Sequence, residues 1–314
     1  MSIYKLKPAC TDYIWGGTRL RDEFGIEYDG ERVAEAWVLS CHPSGPSVID
    51  SGRYSGMTLV DFINLKGMRI LGTNCDRLDE FPILSKLIDA REDLSIQVHP
   101  NNQFAIANEG QLGKTEMWYV VDALPDSYIY YGVSHEVDLE EIKTRIENNT
   151  LTEILKAVPA KKGDVFYIPS GTLHAICKGL LIAEIQQNSN VTYRVYDYGR
   201  IDPSTGRCRE LHVDKALSVT RKLPNYVDYD FGNHLVSCKY FIVDMIDKDT
   251  LDFADERSFV SLVVLEGSGR IEFKNDEGAN DYFNFKKGES YFIPANSGRF
   301  TIKGENFMIL RTQI

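Results

Sequence analysis

No uninterrupted apolar stretch in this 314-residue chain approaches the roughly 18 residues of a membrane-spanning helix. A helical membrane protein is therefore excluded. Basic charge is also in short supply. The 35 Lys and Arg residues face 46 Asp and Glu, for a formal net charge of −11. Such a chain has no general surface for a phosphate backbone or an anionic bilayer, so neither nucleic acid nor membrane is an expected partner. Paired cysteines are missing as well. Cys10, Cys41, Cys75, Cys177, Cys208 and Cys238 are scattered without a CxxC, which excludes a local zinc knuckle or a thiol redox motif. The stretch from Met1 to Pro8 has no apolar leader. Together with the scattered thiols, that leads to the expectation of a reducing, cytoplasmic location.

What the chain has is length for about two domains and an ordinary globular composition, 43% hydrophobic and 26% charged. Its 17 Tyr and 15 Phe sit in short alternating runs broken by Gly, Asn and Asp, which predicts a mainly β protein. Capping signals place a few helices. One opens at Thr58-Leu-Val-Asp61 and runs toward Gly67; another follows Asn102 and stops at Gly110. Asp138 with Glu141 and Thr150 with Glu153 predict a helix pair over 138–157. A further short helix fits 212–221. The break at Lys222-Leu-Pro224 and the polar 225–234 mark a domain boundary, with 1–234 as one unit and an all-β 235–314 as the other.

Two segments repeat without a gap. Gly163-Asp-Val-Phe-Tyr-Ile-Pro169 through His174 and Gly288-Glu-Ser-Tyr-Phe-Ile-Pro294 through Arg299 share a turn glycine, an acid, an aromatic-Ile ending and a strand-terminating proline. Position 12 is His174 in the first copy and Arg299 in the second, so only the first copy can hold a metal there.

Strand alternation in Ser95-Ile-Gln-Val-His-Pro100 puts Gln97 and His99 on one face. Glu116 lies in the strand-like Glu-Met-Trp-Tyr-Val-Val121, and His174 follows the Gly163–Pro169 strand. A lone strand histidine is usually a structural residue, but these four groups can converge from three strands. Their mixed N and O donors suit Zn²⁺ without excluding Mn²⁺, Fe²⁺ or Co²⁺.

The arrangement resembles the two cupin motifs, the second seen as G-x5-P-x-G-x2-H at Gly163, Pro169, Gly171 and His174. It departs from many cupins at Lys178, where they carry Asn, and at Gln97, where they carry a second His. Gln97-Val-His99-Pro100, Gly113-Lys-Thr-Glu116-Met-Trp, His174-Ala and Asn190-Val-Thr-Tyr-Arg194-Val-Tyr-Asp-Tyr-Gly-Arg200 together resemble type I mannose-6-phosphate isomerase in its short bacterial form, from about Tyr13 to Ile314. The resemblance implies two cupin (jelly-roll) domains with a helical insertion near 135–160 roofing the first. It implies an aldose–ketose isomerase acting on mannose 6-phosphate and fructose 6-phosphate, with one divalent metal per chain, Zn²⁺, on Gln97, His99, Glu116 and His174. Arg194 would be an active-site residue, and the C-terminal unit would hold no metal. Competing readings are a sugar-binding or regulatory cupin without turnover, and an isomerase of another phosphosugar.

Moving a hydrogen between C1 and C2 needs a carbonyl-orienting group, a base and a cation for the developing enediolate. Lys114 and Lys86 are candidates for meeting the substrate phosphate or shuttling a proton. Leu180–Gln187 and Val191–Tyr196 read as a hairpin whose register sets Glu184 opposite Arg194, making Glu184 a candidate acid or base. Ser40 and His42, in Ser-Cys-His42-Pro-Ser-Gly, resemble a loop that the family places near its site, with Ser40 as a substrate contact.

Overall fold

Strand alternation, carried through three antiparallel sheets, builds the molecule. The computed structural model describes residues 3–202, 205–224, 229–275 and 277–314. A six-stranded sheet runs in the order Val165–Ile168, Glu116–Ala123, Leu180–Gln187, Ile83–Ala90, Glu35–Leu39 and Ala9–Thr11. Facing it, a five-stranded sheet runs in the order Tyr193–Tyr196, Ile96–Val98, His174–Ile176, Tyr128–Val133 and Leu155–Pro159. The two form the first jelly roll. The second is built on the long strands Val260–Lys274 and Gly298–Gln313, between which Ser290–Ile293 and Asn280–Lys286 return the chain.

Leu180–Gln187 and Ile83–Ala90 are central and buried at every residue, as strands covered on both faces must be. Period 2 then gives the six-stranded sheet two different faces. Leu181, Ala183 and Ile185, with Met117, Tyr119, Ile83 and Leu87, join Phe259, Val263 and Phe292 of the C-terminal sheet in one core. The intervening residues, Glu116, Trp118, Lys86, Ile88, Ile182 and Glu184, face the five-stranded sheet. There the apolar ones pack with Ile129 and Ile176. The five-stranded sheet is two-faced as well: Ile96, Val98, Ala175, Tyr193 and Val195 turn outward under the helices, which leaves Gln97, His174 and Arg194 on the inner side.

Three helices follow their capping signals. Thr58 accepts from the Asp61 N–H ahead of Leu59–Lys66, Asn101 from Phe104 ahead of Asn102–Glu109, and Asp138 from Glu141 ahead of Leu139–Glu147. The expected second helix of the pair is absent. Thr150 makes no side-chain cap, Leu151–Ile154 is a single 3₁₀ turn, and Leu155–Pro159 is a strand on Tyr128–Val133. Sheet pairing there overrides local helix preference. The insertion roofs the first jelly roll as expected: Ile142, Ile146, Leu151 and Ile154 cover the outer face of the five-stranded sheet, away from its inner side. Val213–Val219 is helical as expected, whereas 225–228 of the proposed boundary lie outside the described residues. The first strand, Tyr4–Lys7, crosses the 234/235 division by pairing with Ser290–Ile293. No helix among the described residues is long and apolar enough to cross a membrane.

The sequence repeat is a structural one. Gly163 and Gly288 share φ values of 91° and 89°, and Gly171 and its counterpart Asn296 are both left-handed. Ile168 pairs with Glu116 while Ile293 pairs with Val260, and His174 pairs with Gln97 while Arg299 pairs with Phe253. A Cβ on Gly163 would meet nothing within 4 Å, but one on Gly288 would lie 2.3 Å from the Phe24 carbonyl oxygen. Gly163→Ala is therefore expected to cost about 1–2 kcal/mol for its backbone conformation alone. Gly288→Ala should cost at least about 1 kcal/mol more. Urea unfolding of the two variants compares them, and equal losses would refute the close approach at Phe24.

Candidate metal centre and substrate cavity

His99, Glu116 and His174 come together from three strands with ligand atoms within 4.8 Å of one another. All three are almost completely buried. His99 Nδ1 is 2.9 Å from the Val191 carbonyl and His174 Nδ1 is 2.8 Å from that of Thr172. A carbonyl only accepts, so each Nδ1 carries a proton and each ring turns its Nε2 toward the centre of the cluster, which is how metal-binding imidazoles are oriented. Those Nε2 atoms face Glu116, at 3.6 Å for His99 and 3.1 Å for His174. His99 Nε2 makes no hydrogen bond, and the Glu116 carboxylate buried beside it meets only Lys114 and the two imidazoles. Buried polar atoms left in that state are costly unless a cation completes them.

Charge points the same way. Burial, reinforced by the Lys114 ammonium, holds the His99 imidazole well below its ordinary pKa, keeping it neutral. Burial alone would raise the Glu116 pKa, but Lys114, 3.0 Å from Oε2, holds it well below the usual range. Gln97 is the fourth neighbour: its side-chain amide lies 3.4 Å from His174 Nε2, and its oxygen can serve as a donor. Two imidazoles, a carboxylate and an amide fit a divalent cation of intermediate softness.

A cavity of about 250 Å³ opens beside this cluster. Gln97, Lys114, Lys86, Glu184 and Arg194 line it, as does a set that sequence reasoning missed: Tyr13, Glu35, Ser95, Asn190, Thr192 and Arg209. Four cations face two carboxylates in a chain whose net charge is −11. Lys86 lies 3.4 Å from Glu35 and 3.2 Å from Glu184. Burial would lower its pKa, yet the two carboxylates outweigh that and keep it raised. The indole N–H of Trp37 donates to Glu35 and that of Trp118 to Glu184, so both acids are held in place.

Two expectations need correction. Glu184 and Arg194 are not cross-strand neighbours: Glu184 pairs with Lys86 and Trp118, and Arg194 pairs with Gln97 in the opposite sheet. The link between them crosses from sheet to sheet, held by buried polar bonds such as Gln186 Nε2 to the Ser189 carbonyl and Ser189 Oγ to that of Leu112. Both residues still reach the cavity, from its two walls. Ser40 does not. Its hydroxyl accepts from the His42 N–H in a buried turn, and neither residue lines the cavity. Alternation would have predicted Glu35, since Trp37 and Glu35 share a face.

One equivalent of divalent metal per chain is expected by elemental analysis. The second copy offers only Phe253, Val260 and Arg299 at the paired positions of Gln97, Glu116 and His174. His174→Ala should lose the metal and Arg299→Ala should retain it; two equivalents in the wild type would overturn this assignment.

The comparisons agree with the geometry. Residues 3–128 match the family described as phosphomannose isomerase type I, catalytic domain, and residues 232–312 match the mannose-6-phosphate isomerase cupin domain. The chain is 45% identical to a mannose-6-phosphate isomerase of Streptococcus mutans over 90% of its own length and 89% of that protein's. With the mannose-6-phosphate isomerase ManA of Bacillus subtilis it shares 38% identity over 95% of each chain. A crystal structure of the mannose 6-phosphate isomerase from Bacillus subtilis superposes with a TM-score of 0.89 at 38% identity, covering all of both chains. The chain belongs to the type I mannose-6-phosphate isomerase family.

Proposed function

We propose that this protein is a metal-dependent isomerase that interconverts mannose 6-phosphate and fructose 6-phosphate, working in the cytoplasm with one Zn²⁺ per chain. The observation that carries this reading is the pair of oriented imidazoles around Glu116, set beside a cation-rich cavity that also holds two carboxylates. Free thiols at all six cysteines support the location. Residues 1–234 carry the site, and 235–314 act as a metal-free companion.

Gln97, His99, Glu116 and His174 would hold the metal, which supplies a Lewis acid beside the sugar's carbonyl and hydroxyl oxygens. Glu184, oriented by the Trp118 indole and by Lys86 3.2 Å from its Oε2, takes the proton from C2 of the open-chain aldose and returns it to C1 of the enediol. Lys114 relays the hydroxyl proton from O2 to O1. Lys86, kept protonated by its two carboxylates, cannot serve as the base and donates to a substrate oxygen. Arg194 lies beside Gln97 across the strand pair, with Nε on Ser95 Oγ at 3.1 Å. Its role in this reading is to stabilise an enediolate oxygen as charge develops.

A coupled assay of ketose formation from a panel of aldose 6-phosphates, with and without added Zn²⁺, tests the activity. Mannose 6-phosphate is expected to be the best substrate, and turnover of none of them would refute an isomerase. Arg194→Lys keeps the charge but loses the planar fork. Its kcat should fall by about 10²-fold or more with little change in KM. A raised KM with kcat intact would move the catalytic role to Lys114 or Glu184.

A further inference from the structure

The cavity is lopsided in charge. At its metal end each ammonium has a carboxylate: Lys114 is 3.0 Å from Glu116, and Lys86 sits between Glu35 and Glu184. Beyond them Arg200 and Arg209 share one acid, the buried Asp197. Asp197 takes Arg209 through two bonds, Nε to Oδ2 at 2.8 Å and Nη2 to Oδ1 at 2.5 Å, and Arg200 through a third at 2.5 Å. Arg194 has no carboxylate partner among the described residues; its donors reach the neutral oxygens of Ser95 and Glu210. Burial, and after it the charge of the neighbouring Arg209, lower its pKa against the opposing pull of Asp197. Arg194 and Arg209 both line the cavity.

Two half-buried like charges facing one space, short of countercharge, describe an anion site. The construction favours a tetrahedral oxyanion. Asp197 grips one edge of the Arg209 guanidinium and uses two of its five N–H donors, so the remaining donors are fixed in direction. Direction along the cavity is set as well. Arg194 is paired with Gln97 at the metal cluster, and its side chain bonds to the carbonyl of Glu210, the residue next to Arg209. Metal residues, Arg194 and Arg209 thus follow one another.

We infer that the Arg209 end of the cavity is a phosphate subsite, with Arg209 as the anchor of a sugar 6-phosphate and Asp197 as its positioning residue. The sugar's identity rests on the isomerase reading; the phosphate recognition rests on the charge arrangement. The subsite makes Arg209 a specificity residue, separating phosphorylated from free aldoses at the end of the molecule remote from the chemistry.

Arg209→Gln tests this in the metal-loaded enzyme. KM for mannose 6-phosphate and the inhibition constant of inorganic phosphate should both rise about 10- to 100-fold, with kcat changing less than about threefold, as for loss of uniform binding. Asp197→Asn should raise the same two constants by a smaller factor, and Arg209→Lys, which keeps the charge, should fall between wild type and Arg209→Gln. Metal content and thermal melting confirm that each variant is folded. Arg209→Lys supplies the comparison if Arg209→Gln does not fold. An active wild type whose KM and phosphate inhibition are untouched by both Arg209 variants would overturn the subsite, as would a fall in kcat at constant KM. A wild type that binds phosphate through Arg209 but turns over no aldose 6-phosphate would instead overturn the isomerase reading and leave the subsite standing.

Discussion

The structure depends on a central sheet that is greasy on one face and charged on the other. Alternate residues of Glu116–Ala123, Leu180–Gln187 and Ile83–Ala90, among them Met117, Tyr119, Val121, Leu181, Ala183, Ile185, Ile83 and Leu87, are apolar and share one core with the C-terminal sheet. That contact buries the strands completely and leaves their other residues no freedom to turn toward water. Glu116, Lys86 and Glu184 are therefore held in a dry interior. Charges there are tolerated only when paired and hydrogen-bonded. The pairing is found at close range: Lys86 lies between two carboxylates, and an indole N–H donates to each of them. Rigidity of the site and stability of the fold share this one origin.

Facing sheets give the site its second wall. Gln97, His174 and Arg194 are inner-face residues of short strands whose outer residues lie under Leu139–Glu147 and Val213–Val219. The helices do not touch the chemistry. They fix the rotation of those strands, and through it the direction of the ligands, which is the support a preorganised polar site needs. The C-terminal jelly roll repeats the same construction without the donors. Val260 and Phe253 stand where Glu116 and Gln97 stand in the first copy. Its contribution is the apolar surface against which the catalytic sheet is pressed.

Much of this was legible in the chain. Helix caps at Thr58, Asn101 and Asp138 are local hydrogen bonds and need no partner from elsewhere. The repeat at Gly163 and Gly288 was legible because a positive φ before a strand demands the same residue type twice. That Gln97, His99, Glu116 and His174 would meet was legible because strand alternation sets ligand-capable side chains on inward faces. Missed were Glu35, Tyr13 and Arg209, which line the cavity. Each sits in a segment unremarkable by itself, and its role comes from what lies across the cavity.

Sequence alone therefore determined the strand faces, the caps, the duplicated motif and the set of donors, since all of these follow from spacing along one segment. Tertiary structure decided which strands became neighbours. Arg194 paired with Gln97 rather than Glu184 because the chain changes sheets between them, over a turn tied down by residues such as Leu112, far away in sequence, whose carbonyl accepts from Ser189 Oγ. It also decided that Arg200 and Arg209 would share one aspartate beside an Arg194 that has no carboxylate of its own among the described residues. A balance of charge among segments is a property of their meeting, and no single segment carries it.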